Sequence, residues 1–409
     1  MRDITTDRRV RPYAVSIPMD DVETVDNGAY RAHVQGESRA VVYHVEAGQW
    51  FLLTPSDHGL VPAQPIRRCA QGLWEPVSGA GCGSPRLAAD QWQCIDLPPL
   101  PILASDTSPL PRVIHYVWIG ECGVPAGLLN KMLQSVQLCK DYRVLLHAHV
   151  QSQQGWKRLV AQFPSQSGVE LVDLSDEAHF ATLNAGPLGP FYRYFIGATG
   201  QNYGAASDIL RVHLLHQYGG IYMDVDDVVS GAITRHPYAG PDDLLLNRMV
   251  SVERYDFHGY PNSNFACHAG NDVLAAMLDE MARRLGAETD LFDAPRPWRA
   301  ANRAPTKVEY AEMQTYIRRI FRLTGPGLFN DMLRVNRPDY YWLERDLLNA
   351  YQRLSVSPTE PRVLVEDYFG RMHAAKAFYL PFSEPSFDVS IGHAHSWNPD
   401  VGISVSSFC

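Results

Sequence analysis

The segment ASDILRVHLLHQYGGIYMDVDD, residues 206–227, constrains the fold more than any other stretch of the chain. Its first half places apolar residues at mostly helical spacing, with Asp208 and Arg211 three positions apart on one face. Gly219 and Gly220 predict the end of that helix, and IYMDV begins a run that is typical of a strand. The segment therefore predicts a helix that packs against a strand ending in carboxylates.

The carboxylates at the end of this strand are Asp224, Asp226 and Asp227. In an extended segment residues i and i+2 point the same way, so we expect Asp224 and Asp226 to project together and share one cation. Oxygen ligands suit Mg²⁺ or Mn²⁺, and a diphosphate with water would complete the coordination of such an ion. We expect Asp227 to point to the opposite side, behind the metal ligands. The alternative is that the motif is a solvated acidic loop.

Strand and helix candidates alternate from Val113 onward. The apolar run VIHYVWIG is followed by helical spacing in VPAGLLNKMLQSVQLC, a strand candidate in DYRVLLHAHV, a helix in WKRLVAQF and a third strand in VELVDL. This alternation predicts an α/β domain whose sheet carries helices on its faces. Ligands of such sheets bind at the carboxyl ends of the strands.

The amino-terminal part has a different texture. Residues 13–100 contain short alternating and aromatic runs between turn residues, which predicts a small β-rich domain. The segment LPPLPILASDTSPLPR at 97–112 has the composition of a semi-rigid linker. We therefore expect an N-terminal domain and linker over 1–105 and a catalytic domain over 106–409.

Composition excludes several classes of protein. The net charge of -9 argues against a nucleic-acid partner. No stretch approaches the roughly 18 apolar residues of a membrane helix, and the first residues lack the core of a signal peptide. The seven cysteines contain no C-x-x-C pair, so we expect free thiols, with the state of Cys69, Cys82 and Cys94 left open.

The 206–227 segment resembles the donor-site core of the DXD glycosyltransferases of the sugar-binding-region type, and most closely the glucosyltransferase domain of the large clostridial cytotoxins. This chain has SDILR at 207–211, GGIY at 219–222 and DVD at 224–226, in the order of that family. The resemblance implies a GT-A fold, which is Rossmann-like with a mixed, mostly parallel sheet and helices on both faces. It also implies transfer with retention of anomeric configuration.

Two further segments carry the resemblance. IHYVWIG at 114–120 is similar to the family's first strand, which implies that Trp118 stacks on uracil with Val117 and Ile119 beside it. Core packing is the alternative for Trp118, since aromatic residues often simply fill cores. GHAHSWNPD at 392–400 is similar to the C-terminal metal-and-lid segment.

The resemblance also assigns roles to individual residues. Ser396 and Asn398 join Asp224 and Asp226 as metal ligands, while Trp397 covers the diphosphate. Asp208, Arg211 and Tyr222 contact the donor, although a structural ion pair between Asp208 and Arg211 is the alternative. PNSNFACHAG at 261–270 and TGPGLFND at 324–331 resemble the family's loops that flank the acceptor, with Asn264 and Asn330 as weak candidates. Arg211 and Trp397 are expected to act in catalysis together with Asp224 and Asp226.

These observations predict transfer of a hexose or N-acetylhexosamine from a UDP-sugar to an acceptor hydroxyl, with Mn²⁺ or Mg²⁺. The absence of a second Glu at a motif position fits retention. We expect an effector or toxin that is made in the bacterial cytoplasm and delivered to a host protein without a cleaved signal peptide. The alternatives are a soluble glycan-building transferase, with GDP-mannose as a possible donor, and a non-catalytic sugar-binding protein on a decayed transferase fold.

Overall fold

A computed structural model of the protein describes part of the chain. The described residues are 14–18, 22–24, 30–35, 37–44, 49–56, 59–69, 73–77, 92–96, 103, 106–252, 257–288, 290–297, 303, 305–343 and 372–392. Two compact units divide the chain, one formed by residues 1–101 and 339–375, the other by residues 102–338 and 376–409. The domain boundary expected near residue 105 stays a proposal.

The first unit is built from β-strands. They are β1 (Ala14–Pro18), β2 (Val22–Thr24), β3 (Tyr30–Val34), β4 (Glu37–His44), β5 (Gln49–Ser56), β6 (Gly59–Arg68), β7 (Trp74–Pro76) and β8 (Trp92–Asp96). Strands β2 to β7 pair in chain order, and β3 also pairs with β7 through Val34 and Trp74. This sheet therefore closes on itself, while β1 pairs separately with β8.

The second unit alternates strands and helices in its first half, as the sequence predicts. Its strands are β9 (Ser108–Pro109), β10 (Val113–Ile119), β11 (Arg143–His149), β12 (Val169–Asp173), β13 (Gly220–Met223), β14 (Val228–Val229), β15 (Tyr238–Ala239), β16 (Leu245–Leu246), β17 (Val250–Val252), β18 (Phe257–Gly259), β19 (Asn264–Cys267) and β20 (Val389–Ser390). Its helices are α1 (Ala126–Leu138), α2 (Gln153–Gln162), α3 (Ala178–Ala185), α4 (Gly189–Ile196), α5 (Tyr203–Tyr218), α6 (Asp272–Gly286), α7 (Lys307–Leu323) and α8 (Pro326–Asn336). Short 3₁₀ turns lie at 165–167, 174–176 and 381–383. A further 3₁₀ turn at 338–342 and the helical residues 372–379 are divided between the two units.

The main sheet of the second unit has the strand order β12–β11–β10–β13–β19–β16. Strands β10 to β13 are parallel to one another, whereas β19 runs antiparallel to β13 and to β16. Strands β10, β11 and β13 are buried along most of their length, which explains their nearly continuous apolar sequences. The expected α/β class with a mixed, mostly parallel sheet is confirmed.

Two short strand pairs complete this unit. Strand β9 pairs with β15, so residues 108–109 of the segment expected to be a linker are part of the second unit. Strand β20 pairs with β14, immediately after the acidic motif. None of the helices in the described ranges is long and apolar enough to cross a membrane.

Candidate functional site

Two glycines turn the chain back on itself between α5 and β13. Helix α5 begins after Asn202, whose side-chain oxygen accepts a hydrogen bond from the Ala205 N–H at 3.1 Å. Gly219 and Gly220 then take φ values of +64° and +93°. A Cβ on Gly219 would lie 2.6 Å from the backbone nitrogen of Ala269, which is too close. A side chain at residue 219 is therefore disfavoured both by this contact and by the positive φ. The reversal places the first turns of α5 beside the carboxyl end of β13.

The residues after β13 form a turn, and not the extended segment that we expected. Strand β13 ends at Met223, and the Asp227 N–H donates to the Asp224 carbonyl at 3.0 Å. The prediction that strand alternation aligns Asp224 with Asp226 is therefore wrong. The turn nevertheless brings both side chains to one cavity. Burial raises the pKa of Asp224 to about 6, with the charge of Asp226 adding to the rise and Arg211 opposing it.

Arg211 joins helix α5 to this turn. Its Nη2 lies 3.1 Å from Asp224 Oδ1 and 3.3 Å from Asp208 Oδ1, and its Nη1 donates to the Asn262 carbonyl at 2.6 Å. The guanidinium carbon also lies 4.9 Å from the centroid of the Tyr222 ring. Burial alone would lower the pKa of Arg211, but the Asp224 carboxylate raises it above its usual range. Arg211 therefore makes the structural ion pair with Asp208 and also reaches the acidic turn.

Asp208 is held by three partners at the cavity wall. Besides the ion pair with Arg211, it accepts hydrogen bonds from Asn262 Nδ2 at 3.0 Å and from Thr324 Oγ1 at 3.1 Å. Burial raises the pKa of Asp208, and these three partners oppose the rise. The side chain is oriented before any ligand arrives.

Tyr222 orients the Asp224 carboxylate through a hydrogen bond. Its hydroxyl donates to Asp224 Oδ1 at 2.7 Å, and the Ser207 hydroxyl lies 3.2 Å from the same phenol oxygen. The Tyr222 side chain is buried and does not line the cavity. The sequence-based role for Tyr222 as a donor contact is therefore corrected to one of positioning a carboxylate.

The acidic turn opens into a cavity of about 440 Å³. This volume lies within the range of small-molecule sites. The polar lining includes Asp208, Arg211, Asp224, Asp226 and Asn262, whereas the walls contributed by β10, β17, β18 and α7 are mainly apolar. Residues from α5 and from the acidic turn, which lie together in sequence, thus meet the carboxyl end of β10.

Trp118 lies at that end of β10, half-buried and on the cavity wall. Its indole N–H donates to the Cys122 carbonyl at 2.8 Å, and this bond fixes the orientation of the ring edge. Val117 and Ile119 line the same wall. The three residues assigned to the donor by resemblance are therefore brought together with the acidic turn.

Among the cysteines whose side chains the structure describes, one departs from the expectation of free thiols. Cys122 is disulfide-bonded. Free thiols are present at Cys69, Cys139 and Cys267. The Cys122 backbone carbonyl that holds Trp118 thus belongs to a cross-linked residue.

Three side chains at this site were missed in the sequence. Tyr203 lines the cavity, and its ring lies 3.2 Å from the position that a Cβ on Gly120 would take. Asn262 bridges Arg211 and Asp208, and Lys131 Nζ donates to the Asp226 carbonyl at 3.4 Å. The one available signal was Gly120 at the tip of a strand, since such a glycine often marks a close approach.

The asparagines assigned to the acceptor lie elsewhere. Asn264 is fully buried and donates to Asp227 Oδ2 at 2.7 Å. Asn330 is also buried and donates to the carbonyls of Tyr260 and Pro326, each at 2.8 Å. Neither asparagine lines the cavity, so both assignments are corrected to internal hydrogen bonding.

The C-terminal lid residues Ser396, Trp397 and Asn398 lie outside the described residues. The described chain reaches Gly392, which lines the cavity and packs against the Asp226 carboxylate. The expected roles of the three lid residues stay predictions.

The donor atoms at the acidic turn suit a hard divalent cation. Within the described ranges, no group of three or more His, Cys, Asp or Glu side chains gathers as a metal site. Asp224 and Asp226 instead present two carboxylates to a cavity. One or two protein carboxylates are the usual ligands of Mg²⁺ or Mn²⁺ when phosphate oxygens complete the coordination. The residues present therefore fit such an ion.

Part of the chain matches a known protein family. Residues 138–246 match the family described as "Glycosyltransferase sugar-binding region containing DXD motif". The matched range contains α5, β13 and the acidic turn. The resemblance seen in the sequence is thereby confirmed.

Curated relatives include bacterial toxins. A toxin of Photorhabdus asymbiotica is 22% identical over 394 residues, which cover 90% of this chain and 12% of that protein. Toxin Afp18 of Yersinia ruckeri is 27% identical over 175 residues, which cover 42% of this chain and 8% of that protein. The chain thus spans a small part of the length of each relative.

A solved structure named PaToxG Glycosyltransferase is 18% identical, with a TM-score of 0.45 over 74% of this chain and 88% of that one. The matched region and the sequence relatives show that the chain is similar to glycosyltransferases of the DXD type and to bacterial toxins.

Proposed function

We propose that the protein is a metal-dependent, retaining glycosyltransferase that moves a hexose or N-acetylhexosamine from a UDP-sugar to an acceptor hydroxyl. The observation that carries the proposal is the Arg211 to Asp224 pair at a cavity that also contains Asp226. Arg211 balances a carboxylate whose charge burial disfavours, so the turn can keep charged oxygens inside the cavity.

Asp224 and Asp226 are the residues that would hold Mn²⁺ or Mg²⁺. When bound, the ion supplies neutralisation of the charge that develops on the diphosphate leaving group. Asp224 is already oriented by the Tyr222 hydroxyl and by Arg211, so little rearrangement is needed to present its oxygens. The nearby guanidinium of Arg211 adds a second positive charge beside the leaving group.

The donor nucleotide is assigned to the β10 side of the cavity. Trp118 offers an aromatic face for uracil, with Val117 and Ile119 completing the apolar wall. Asp208 lines the cavity in a fixed orientation and can accept hydrogen bonds from ribose or sugar hydroxyls. This arrangement supports a UDP-sugar as the donor class.

Retention is supported by the state of the carboxylates around the cavity. Among the described lining residues these are Glu121, Asp208, Asp224 and Asp226. Glu121 accepts two backbone N–H bonds at the start of α2, and Asp208 is bound by Arg211. With the remaining two assigned to the metal, none is left for the general base that inversion needs. The acceptor hydroxyl then attacks as the bond to the diphosphate breaks, and its proton passes to the departing phosphate oxygen.

The acceptor is proposed to be a host protein. The support is the similarity to bacterial toxins, which favours delivery of this chain out of the bacterium over a role in building surface glycans. A soluble enzyme acting on glycans with GDP-mannose, and a protein that binds sugars without turnover, are the outcomes that would replace it.

The test is nucleotide release from a panel of donors. The full chain is incubated with UDP-glucose, UDP-galactose, UDP-N-acetylglucosamine or GDP-mannose, with Mn²⁺ or with EDTA. We expect Mn²⁺-dependent release of UDP from at least one UDP-sugar, and an α-linked product when the α-linked donor is used with an added acceptor protein. Release from GDP-mannose alone would favour the glycan-building alternative. Nucleotide binding without release from any donor would favour the non-catalytic one.

A further inference from the structure

We infer that Asn247 and Asn264 are positioning residues for the acidic turn, acting through a closed ring of hydrogen bonds that fastens Gly392 to Asp227. The ring is formed by the side chains of Asp227, Asn264 and Asn247 with the backbone of residues 389–392, and we call it the amide ring. The inference rests on the metal-dependent transfer proposed above, because it concerns how the metal-binding turn is held.

All the hydrogen bonds of the amide ring have short donor–acceptor distances. Asn264 Nδ2 donates to Asp227 Oδ2 at 2.7 Å, and Asn247 Nδ2 donates to Asn264 Oδ1 at 2.9 Å. Asn247 Nδ2 also donates to the Val389 carbonyl at 2.9 Å, and the Gly392 N–H closes the ring on Asp227 Oδ1 at 2.7 Å. The ring thus joins the acidic turn, β19 and β20.

The three side chains of the ring are buried, with exposed fractions of 0% for Asp227, 0% for Asn264 and 1% for Asn247. Asn247 Oδ1 is used as well, since it accepts from the Arg248 N–H at 2.7 Å. Each amide therefore has one orientation, because the Val389 carbonyl and the Arg248 N–H fix Asn247, and the Nδ2 of Asn247 then faces the oxygen of Asn264. Loss of one donor would leave a buried acceptor unpaired, which is costly.

The ring acts on the metal ligands through their neighbour. Both oxygens of Asp227 are occupied within the ring, and this side chain does not line the cavity. Asp227 also closes the turn, since its N–H donates to the Asp224 carbonyl. Fixing Asp227 therefore fixes the backbone that carries Asp224 and Asp226.

Gly392 limits Asp226 from the other side. A Cβ on Gly392 would collide with the Asp226 carboxylate, so the bare backbone of residue 392 defines where that carboxylate can lie. Strands β14 and β20 pair next to this contact, with Val228 opposite Ser390. If the amide ring were lost, residues 391–392 would loosen against Asp226 although no metal ligand had changed.

The test compares asparagines in the full chain. Asn247→Ala removes the ring donors, and Asn247→Asp keeps the shape and the acceptor for Arg248 while removing the same donors. The matched control is Asn271→Ala, since Asn271 is equally buried and caps α6 with no contact to the turn. Two quantities are measured: the Mn²⁺ concentration that gives half-maximal nucleotide release, and hydrogen exchange of a peptide containing residues 389–392 without any ligand.

We expect both Asn247 variants to need about 10- to 100-fold more Mn²⁺, as is usual when a residue supporting a metal ligand is lost. Release at saturating Mn²⁺ should fall much less, and the 389–392 peptide should exchange faster. Asn271→Ala should lose stability without either change. If folded Asn247→Asp exchanges at the wild-type rate in residues 389–392, or keeps the wild-type Mn²⁺ requirement, the inference is overturned. If wild-type release needs no metal, the proposed function fails instead, and the exchange result still decides whether the ring holds residues 389–392.

Discussion

Helix α5 contributes to two largely buried clusters of ionisable side chains that differ in charge. Under its first turns lies the arginine–aspartate cluster, Asp208, Arg211 and Asp224, whose members are ion-paired and line the cavity. Around its second half lies the histidine cluster, His115, His147, His179 and His213, none of which lines that cavity. One helix therefore packs against a charged site and a neutral one.

Hydrogen bonds and burial keep the histidine cluster neutral. His115 Nε2 lies 3.0 Å from the Gly219 carbonyl, so this nitrogen carries a proton and donates it. His115 Nδ1 must then accept from His147 Nε2, which lies 2.9 Å away. An added proton on either ring would break the chain or remain buried without a partner. Burial accordingly lowers the pKa of His115 to about 4 and that of His147 to about 2.

The comparison teaches which buried ionisable groups mark a site. Both clusters shift the pKa values of their members, but only the arginine–aspartate cluster combines opposite charges with a cavity. Perturbed pKa values alone would have selected both. The predictions below test this contrast in order of expected effect.

The largest effect should come from Arg211→Met. This change leaves the buried Asp208 and the partly buried Asp224 without their shared cation, so the free energy of unfolding should fall by about 3–5 kcal/mol. Arg143→Met is the control, because it breaks the exposed pair with Glu170 and should cost less than about 1 kcal/mol. Urea unfolding of both variants measures the two free energies of unfolding. Equal losses of free energy would contradict the prediction that the arginine–aspartate cluster depends on its cation more than an exposed ion pair does.

Acid should act on the histidine cluster. A folded-state pKa below the unfolded value of about 6.5 means that the unfolded chain takes up protons first, so stability is lost as pH falls below that value. With folded pKa values of about 4 for His115 and about 2 for His147, each of these two histidines contributes a loss of stability of about 2 kcal/mol at pH 5. His147→Leu should therefore show a loss between pH 7.5 and pH 5 that is about 2 kcal/mol smaller than in wild type.

This comparison between wild type and variant is needed because other groups titrate in the opposite direction. Burial raises the pKa of Asp227 to about 8 and that of Asp224 to about 6. Their contribution to the stability of the folded protein is therefore lost as pH rises. They are unchanged in His147→Leu and cancel in the difference. Identical pH dependence of unfolding in the two proteins would show that the histidines are not held neutral.

The smallest effect on stability is expected at the edge of the acidic turn. Gly392→Ala forces a methyl group against Asp226, which should cost about 1 kcal/mol of stability and weaken Mn²⁺ binding. Gly231→Ala is the control, because a Cβ there meets nothing within 4 Å. Mn²⁺ titrations of the two variants should separate them, whereas equal affinities would mean that Gly392 does not define the position of Asp226.

The sequence predicted the parts of this site that local pattern determines. Helix α5, the glycine reversal and strand β13 follow from spacing within residues 203–223 and were predicted from it. The acidic turn was missed because Asp227, which closes it, is held by Asn264 and Gly392, which lie 37 and 165 residues away. A local pattern carries no information about such partners.

The same limit explains the asparagines and the histidines. Asn264 was placed near the acceptor because a motif marked its neighbourhood, yet Asn262, two residues earlier, is the one that reaches the cavity. The residues of the histidine cluster come from β10, β11, α3 and α5. No single segment of the sequence therefore predicts the cluster. In both cases tertiary contacts, and not residue type, decide the role.

The central claim is that Asp224 and Asp226 form the metal and donor site, and Asp226→Asn tests it most directly because Asp226 lies outside the buried ion pair with Arg211. Calorimetric titration of UDP, with and without Mn²⁺, should show that wild type binds UDP at least about tenfold more tightly when Mn²⁺ is present. Asp226→Asn should keep the metal-free affinity and lose this gain. A variant that retains the full Mn²⁺-dependent gain would contradict the account.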